Sequence, residues 1–221
     1  MQMLSRTAIE EVVLSYHDPV LGQFLTPKAL KNVEINATEV QLSIALGFPA
    51  ARYQYLLKAA LEQLLKPLLA SKSLEMSVQW QIEAHTAQAG QRGMEKVKNI
   101  IAIASAKGGV GKSTTAVNLA LALIAEGAKV GILDADIYGP SQPMMLGLSG
   151  APEANAHKML VPMTRYGVQS MSIGYLVDQA AAVAWRGPMV SRALQQLLND
   201  TAWKTWIIYS LICRLVLVIF N

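Results

Sequence analysis

The sequence predicts an α/β fold in two parts: a small α+β domain over residues 1–84, then a parallel-sheet domain from residue 98. Three observations predict it. Before residue 84, apolar residues alternate in three short runs and recur at helical spacing in two more. After residue 98, the continuous apolar runs 99–104 and 129–133 flank a glycine-rich turn and a helical segment, the β-loop-α-β order of a right-handed parallel unit. Between the two parts, residues 85–97 (HTAQAGQRGMEKV) are polar, small and glycine-containing, and read as a linker.

Taken in order, residues 8–16 predict a short helix that His17-Asp18-Pro19 breaks. Val33, Ile35 and Ala37 share one face of a first strand. Val40, Leu42, Ile44 and Leu46 share one face of a second, and the short step between them predicts a hairpin. Leu56, Leu57, Ala60, Leu61, Leu64 and Leu65 predict an apolar stripe on a helix over 50–66, which Pro67 should end or kink. Strict alternation from Leu74 to Ile82 predicts a third strand. In the second part, 99–104 (NIIAIA) predicts a strand buried on both faces. A helix over about 112–126 should stop at Gly127, and 129–133 predicts a second buried strand ending at Asp134. Residues 139–163, rich in Pro, Gly and Met, read as loop; 167–173 predicts a strand and 187–199 a helix.

Composition narrows the function classes. With 52% hydrophobic and 15% charged residues, the 221-residue chain has the apolar content for a sizeable core, which excludes disorder over most of its length. The net charge of +4 is carried by scattered Lys and Arg, so nucleic acid is not an expected partner. The single cysteine, Cys213, excludes an internal disulfide and fits a reducing cytoplasm. The N-terminal MQMLSRTAIEEVV has no signal-peptide pattern, and His17, His85 and His157 have no metal-ligand spacing.

The chemistry concentrates at Ser105-Ala-Lys-Gly-Gly-Val-Gly-Lys-Ser113. Phosphate is bound by converging backbone N–H groups with a helix N-terminus behind them, and glycine permits the close approach and the positive φ. Gly108, Gly109, Val110, Gly111, Lys112, Ser113 and Thr114 are therefore the candidate nucleotide-binding residues. Lys112 is placed to reach the β- and γ-phosphates, and the Ser113 hydroxyl to sit on Mg²⁺. Compared with the usual G-x-x-x-x-G-K-[ST], Ala106 replaces the first glycine and a second lysine, Lys107, stands near the start. Asp134 and Asp136 follow the next strand, at the carboxyl end where open parallel sheets bind ligands. Both are candidates to hold Mg²⁺ and to orient an attacking water; the competing reading is that they cap the following loop.

Lys107-Gly-Gly-Val-Gly-Lys-Ser-Thr114, followed by Asp134-Ala-Asp-Ile-Tyr-Gly-Pro-Ser-Gln-Pro143, resembles the Mrp-type (ApbC-like) iron–sulfur cluster carriers, P-loop ATPases with a deviant Walker A motif. The group also includes the Min and Par positioning ATPases, which are the alternative. Asp-Ile-Tyr-Gly-Pro-Ser favours the carrier branch, as do Val183-Ala-Trp-Arg-Gly-Pro-Met189 and the N-terminal marker His17-Asp-Pro-Val-Leu-Gly22. The resemblance implies ATP and Mg²⁺ as ligands, ATP hydrolysis, a homodimer, and apoproteins as clients of cluster transfer in the cytoplasm. It also implies that Lys107 reaches the partner's nucleotide, and that Asp136 is the first switch aspartate; Lys107, Lys112 and Asp136 are the catalytic candidates.

The resemblance stops near Trp203. The family continues with a buried strand ending in Asp and a P-P-G-T-G-D switch. Here residues 204–221 read KTWIIYSLICRLVLVIFN. One permitted codon choice for that stretch, read two bases later, encodes D-L-D-Y-L-F-I-D-M-P-P-G-T-G-D-I, the missing segment. A frameshift near Trp203 is therefore expected. It leaves 98–203 as the N-terminal part of an incomplete P-loop NTPase domain and 204–221 as an aberrant apolar tail. The second switch and the family's C-x-x-C cluster ligands are lost, and hydrolysis should be impaired. An exposed apolar sheet edge should result. A membrane anchor is not expected, because the apolar run 206–220 is shorter than about 20 residues and Arg214 interrupts it.

Overall fold

The computed structural model describes residues 4–82, 97–105, 107–176, 187–204 and, for the backbone alone, 206–213. Its contacts divide the chain into two units, Met1–Glu83 and Ala84–Asn221.

In the first unit, α1 (Arg6–Leu14) starts where the Ser5 side chain accepts a hydrogen bond from the Ala8 N–H at 3.1 Å, satisfying a donor of the first turn. β1 (Leu30–Ile35) and β2 (Glu39–Leu46) form the expected antiparallel hairpin, with Ile35 opposite Val40. Burial alternates along β2, so that Val40, Leu42, Ile44 and Leu46 all enter the core. Ala37 falls in the turn rather than on the strand. α2 (Tyr53–Leu69) then crosses to β3 (Ser73–Trp80), which pairs parallel to β2 and completes the sheet order β1-β2-β3.

Two features of α2 differ from expectation. Pro67 lies inside the helix, which runs on to Leu69 rather than ending or breaking at 66. The buried stripe is also narrower than the leucine content suggests. Leu57, Leu61, Leu65 and Leu69 are buried at spacings of four, whereas Leu56 is 70% and Leu64 44% exposed. A helix lying on a three-stranded sheet buries one row of side chains, and the neighbouring leucines are rotated off it.

In the second unit, β4 (Val97–Ala104), α3 (Lys112–Ala125) and β5 (Val130–Asp134) are followed by a short α4 (Gln142–Leu146) and by β6 (Met163–Arg165) and β7 (Val168–Ser172). α5 (Gly187–Asn199) and β8 (Trp206–Cys213) complete it. The sheet order is β4-β8-β5-β7-β6. β4, β8, β5 and β7 run parallel, and β6 is an antiparallel edge. α3 ends before Gly127, whose φ of 87° supplies the left-handed residue that stops it. β5 is buried at all five positions. Gly131 in β5 is required by close approach: a Cβ there would stand 3.1 Å from the buried Trp203 ring.

Two expectations are corrected here. β4 is not buried on both faces; it alternates, with Ile100 54% exposed and Ile101 and Ile103 packed against the core, because it is an edge strand. The segment 139–163 is not all loop: it contains α4, and Met163 starts β6, which turns into β7 through Tyr166 and Gly167, both at positive φ as a tight two-residue hairpin turn requires. Residues 206–213 of the apolar tail form a strand of this sheet. β8 lies between β4 and β5, pairing Ile208 with Asn99 on one side and with Val130 on the other. A central parallel strand asks only for a short run of apolar β-formers, and Trp-Ile-Ile-Tyr-Ser-Leu-Ile-Cys meets that demand.

Of the linker expected over 85–97, Val97 begins β4 and residues 85–96 lie outside the described residues, as do Val183, Ala184, Trp185 and Arg186.

Candidate functional site

The glycine-rich loop joins the carboxyl end of β4 to α3. Gly111 is the N-cap of α3 at φ 89° and ψ 20°, and Gly109 has φ 75°. These left-handed positions are the two at which the loop demands glycine. Gly108 has no positive φ, so its backbone does not require glycine. A Cβ added at Gly108, Gly109 or Gly111 would meet nothing within 4 Å among the described residues, so the space beside these three backbone positions is open. No side chain caps α3. Its first-turn N–H groups and the positive end of its dipole therefore face a space that an anion fits. Lys112, half-buried, is the first residue of the helix; Lys107, Val110 and Thr114 are exposed.

Ser113 is tied to the acidic strand end through an intermediate residue that the motif reading did not assign. The Ser141 hydroxyl donates to Ser113 Oγ at 2.7 Å, and the Ser141 N–H donates to Asp134 Oδ2 at 3.0 Å. Gln142 makes a parallel pair of contacts, its N–H to Asp134 Oδ2 at 3.1 Å and its Nε2 to the Ser113 carbonyl at 3.5 Å. Ser172 Oγ, at the end of β7, also donates to Asp134 Oδ2 at 3.3 Å, and Asp134 Oδ1 accepts from the Asp136 N–H at 3.2 Å. The signal for Ser141 and Gln142 was present in Asp-Ile-Tyr-Gly-Pro-Ser-Gln, but nothing in a linear pattern shows that α4 turns back onto α3.

The two aspartates therefore stand differently. Asp134 is fully buried, and four donors converge on it. Burial pushes its carboxyl above the ordinary carboxylate value, and the N–H groups of Gln142, Asp136 and Ser141 pull against that shift. Its Oδ2 carries three of the four donors, so the carboxylate organises the loop as a cap would. Asp136 Oδ1 is buried and has no hydrogen-bond partner among the described residues. A buried acceptor left unpaired is costly, and such an atom at a strand's carboxyl end suits a bound ligand, ion or water. The Ser113 hydroxyl and the unpaired Asp136 Oδ1 are oxygens of the kind Mg²⁺ takes, whereas the oxygens of Asp134 are already engaged by four donors.

A family profile described as ParA, NUBPL iron-transfer P-loop NTPase, matches residues 96–210, just over half of the chain. The chain belongs to this NTPase family. Its similarity to individual members extends into the first unit. An iron-sulfur cluster carrier protein of Haemophilus influenzae is 40% identical over 199 residues, 89% of this chain and 54% of that protein. The iron-sulfur cluster transfer protein NUBPL of Mus musculus is 50% identical over 115 residues, 51% of this chain and 36% of that protein. A solved nucleotide-binding protein of Archaeoglobus fulgidus, in complex with ADP, is 36% identical, covers 54% of this chain and 45% of its own, and superposes with a TM-score of 0.45. The chain spans about half the length of the cluster carrier it matches.

Among the described residues no group of three or more His, Cys, Asp or Glu could hold a metal ion, and no helix is long and apolar enough to cross a membrane.

Proposed function

We propose that this chain binds ATP with Mg²⁺ in the loop 107–114 and derives from a cytoplasmic carrier that moves iron–sulfur clusters to apoprotein clients. The observation that supports the first half is the pair of left-handed glycines, Gly109 and Gly111, with open space beside them in front of an uncapped helix that carries Lys112 and Ser113 in its first turn. The N–H groups of this loop bind the phosphates and Lys112 neutralises them. Mg²⁺, when bound, supplies charge neutralisation at the β- and γ-phosphates; Ser113 would hold it, with Asp136 and the more heavily engaged Asp134 beside it. Asp136 Oδ1 accepts a hydrogen bond from the attacking water. Lys107 is exposed on the loop, and in a homodimer it serves the partner's nucleotide.

The second half rests on the two relatives named above, described as an iron-sulfur cluster carrier protein and an iron-sulfur cluster transfer protein. The cluster is cargo. With Cys213 as the single cysteine, these 221 residues do not offer the paired thiolates that a bridging cluster takes.

Calorimetric titration of the full chain with ATP and ADP, with and without Mg²⁺, tests the reading. Lys112→Ala should abolish measurable binding, and unchanged affinity would refute the assignment. Restoring the shifted frame and reconstituting anaerobically should produce a cluster absorption band. A restored protein that binds ATP and never a cluster would return the Min/Par alternative.

A further inference from the structure

Ser113 receives two contacts from one short segment, 28 and 29 residues further along the chain, and that segment is anchored by its own backbone to Asp134. From this arrangement, and resting on the Mg²⁺–nucleotide reading above, we infer that Ser141 is a positioning residue for metal binding: its hydroxyl sets the Ser113 side chain in the orientation that presents an oxygen lone pair to Mg²⁺.

A serine hydroxyl rotates among three staggered positions, and only some of them direct Oγ toward a bound ligand. Ser113 is half-buried in the first turn of α3, where no other hydrogen bond to its hydroxyl is seen among the described residues. The 2.7 Å bond from Ser141 therefore decides the rotamer. It takes one lone pair of Ser113 Oγ and leaves the second lone pair and the hydroxyl proton available. Ser141 can impose this only if it is itself fixed. Its N–H and that of Gln142 both donate to Asp134 Oδ2, and Gln142 is fully buried. Asp134, at the end of the all-buried strand β5, is the rigid point from which the arrangement is built. The chain of contacts is Asp134 carboxylate, Ser141 backbone, Ser141 hydroxyl, Ser113 hydroxyl. It explains why a buried carboxylate so occupied by backbone donors sits beside a phosphate loop: it acts on the metal through Ser141.

The test is the magnesium dependence of nucleotide affinity in the full chain, measured by titration with ATP in Mg²⁺ and again in EDTA. One neutral hydrogen bond is worth a factor of roughly 2 to 10 in an equilibrium constant. Ser141→Ala should weaken binding in Mg²⁺ by about that factor and leave binding in EDTA unchanged. Ser141→Thr, which keeps the hydroxyl, should restore the wild-type ratio, and Ser141→Cys, a poor donor of similar size, should behave as Ala does. Equal losses in Mg²⁺ and EDTA, or a lowered melting temperature with an unchanged ratio, would make Ser141 merely structural and overturn the inference. If Ser141→Ala does not fold, the Thr and Cys pair decides by the same ratio. A wild-type chain with no nucleotide affinity would overturn the underlying reading instead, and the inference with it.

Discussion

The Tyr53 hydroxyl donates to Asp18 Oδ2 at 2.5 Å, joining the first turn of α2 to the loop that follows α1. Asp18 also accepts from the N–H groups of Val20 and Leu21, both at 2.8 Å, and from the Tyr16 hydroxyl at 3.1 Å. The His17-Asp-Pro-Val-Leu-Gly22 stretch is thus an Asx-type turn closed on a buried carboxylate. The bond from Tyr53, then that from the Leu21 N–H, lowers the Asp18 carboxyl from its ordinary value near 4 to about 2. A carboxyl lowered by folding contributes stability that is complete above its unfolded value and is lost as pH falls toward its folded value. Wild type should therefore be more stable than Asp18→Asn above about pH 4, with the advantage shrinking between about pH 4 and pH 2. Thermal melts of both proteins across that range check it, and an advantage that grows on acidification would contradict the assignment.

The two leucine rows of α2 give a sharper test of packing. Leu61 is fully buried in the core with Val40, Leu42 and Ile44, and Leu56 is 70% exposed on the same helix. Leu61→Ala leaves a cavity and should cost about 2–5 kcal/mol. Leu56→Ala should change stability by no more than about 0.5 kcal/mol. Hydrogen exchange of the α2 amides reads both on the full chain, and similar losses of protection in the two variants would mean that the helix face is misassigned.

The contrast between those leucines also shows how far the sequence could be read. Strand alternation survives translation into structure because its period is an integer: Val40, Leu42, Ile44 and Leu46 enter the core as spaced. Helical spacing leaves the edges of the stripe open, since the width of the buried face depends on what it packs against. Pro67 was legible as a proline and not as a helical one, because the effect of a proline depends on the turn before it. The loop 107–114 was readable because its chemistry is local. Ser141 and Gln142 were not, because their contacts to Ser113 exist only once α4 has packed onto α3.

The phosphate loop makes a prediction about which glycines matter. Gly111 caps α3 at φ 89° and Gly109 has φ 75°, while Gly108 has no positive φ. An L-residue in the left-handed region costs roughly 1–2 kcal/mol. Gly109→Ala and Gly111→Ala should each lower stability by about that amount without any ligand, and Gly108→Ala should leave it nearly unchanged. Urea denaturation of the nucleotide-free chain separates them. A Gly108 variant as damaging as the Gly111 variant would show that the loop is held by something other than these two backbone conformations.

The strand β8 bears on the tail. It occupies a central place in the sheet, between β4 and β5, and in that place the shifted frame would supply D-L-D-Y-L-F-I-D. Both readings are rich in apolar and β-forming residues, so either satisfies the pairing that a parallel strand needs, and the fold does not distinguish them. The chemistry does. The shifted reading ends the strand in an aspartate, as β5 ends at Asp134, and continues into a glycine-rich switch, whereas the present one ends at Cys213. Sequencing the gene across the codons for Trp203 and Lys204 should therefore reveal codons that, read two bases later, encode the P-P-G-T-G-D segment. Codons that cannot be shifted into that segment would make residues 204–221 a tail in their own right. The β8 strand would then be the native partner of β5.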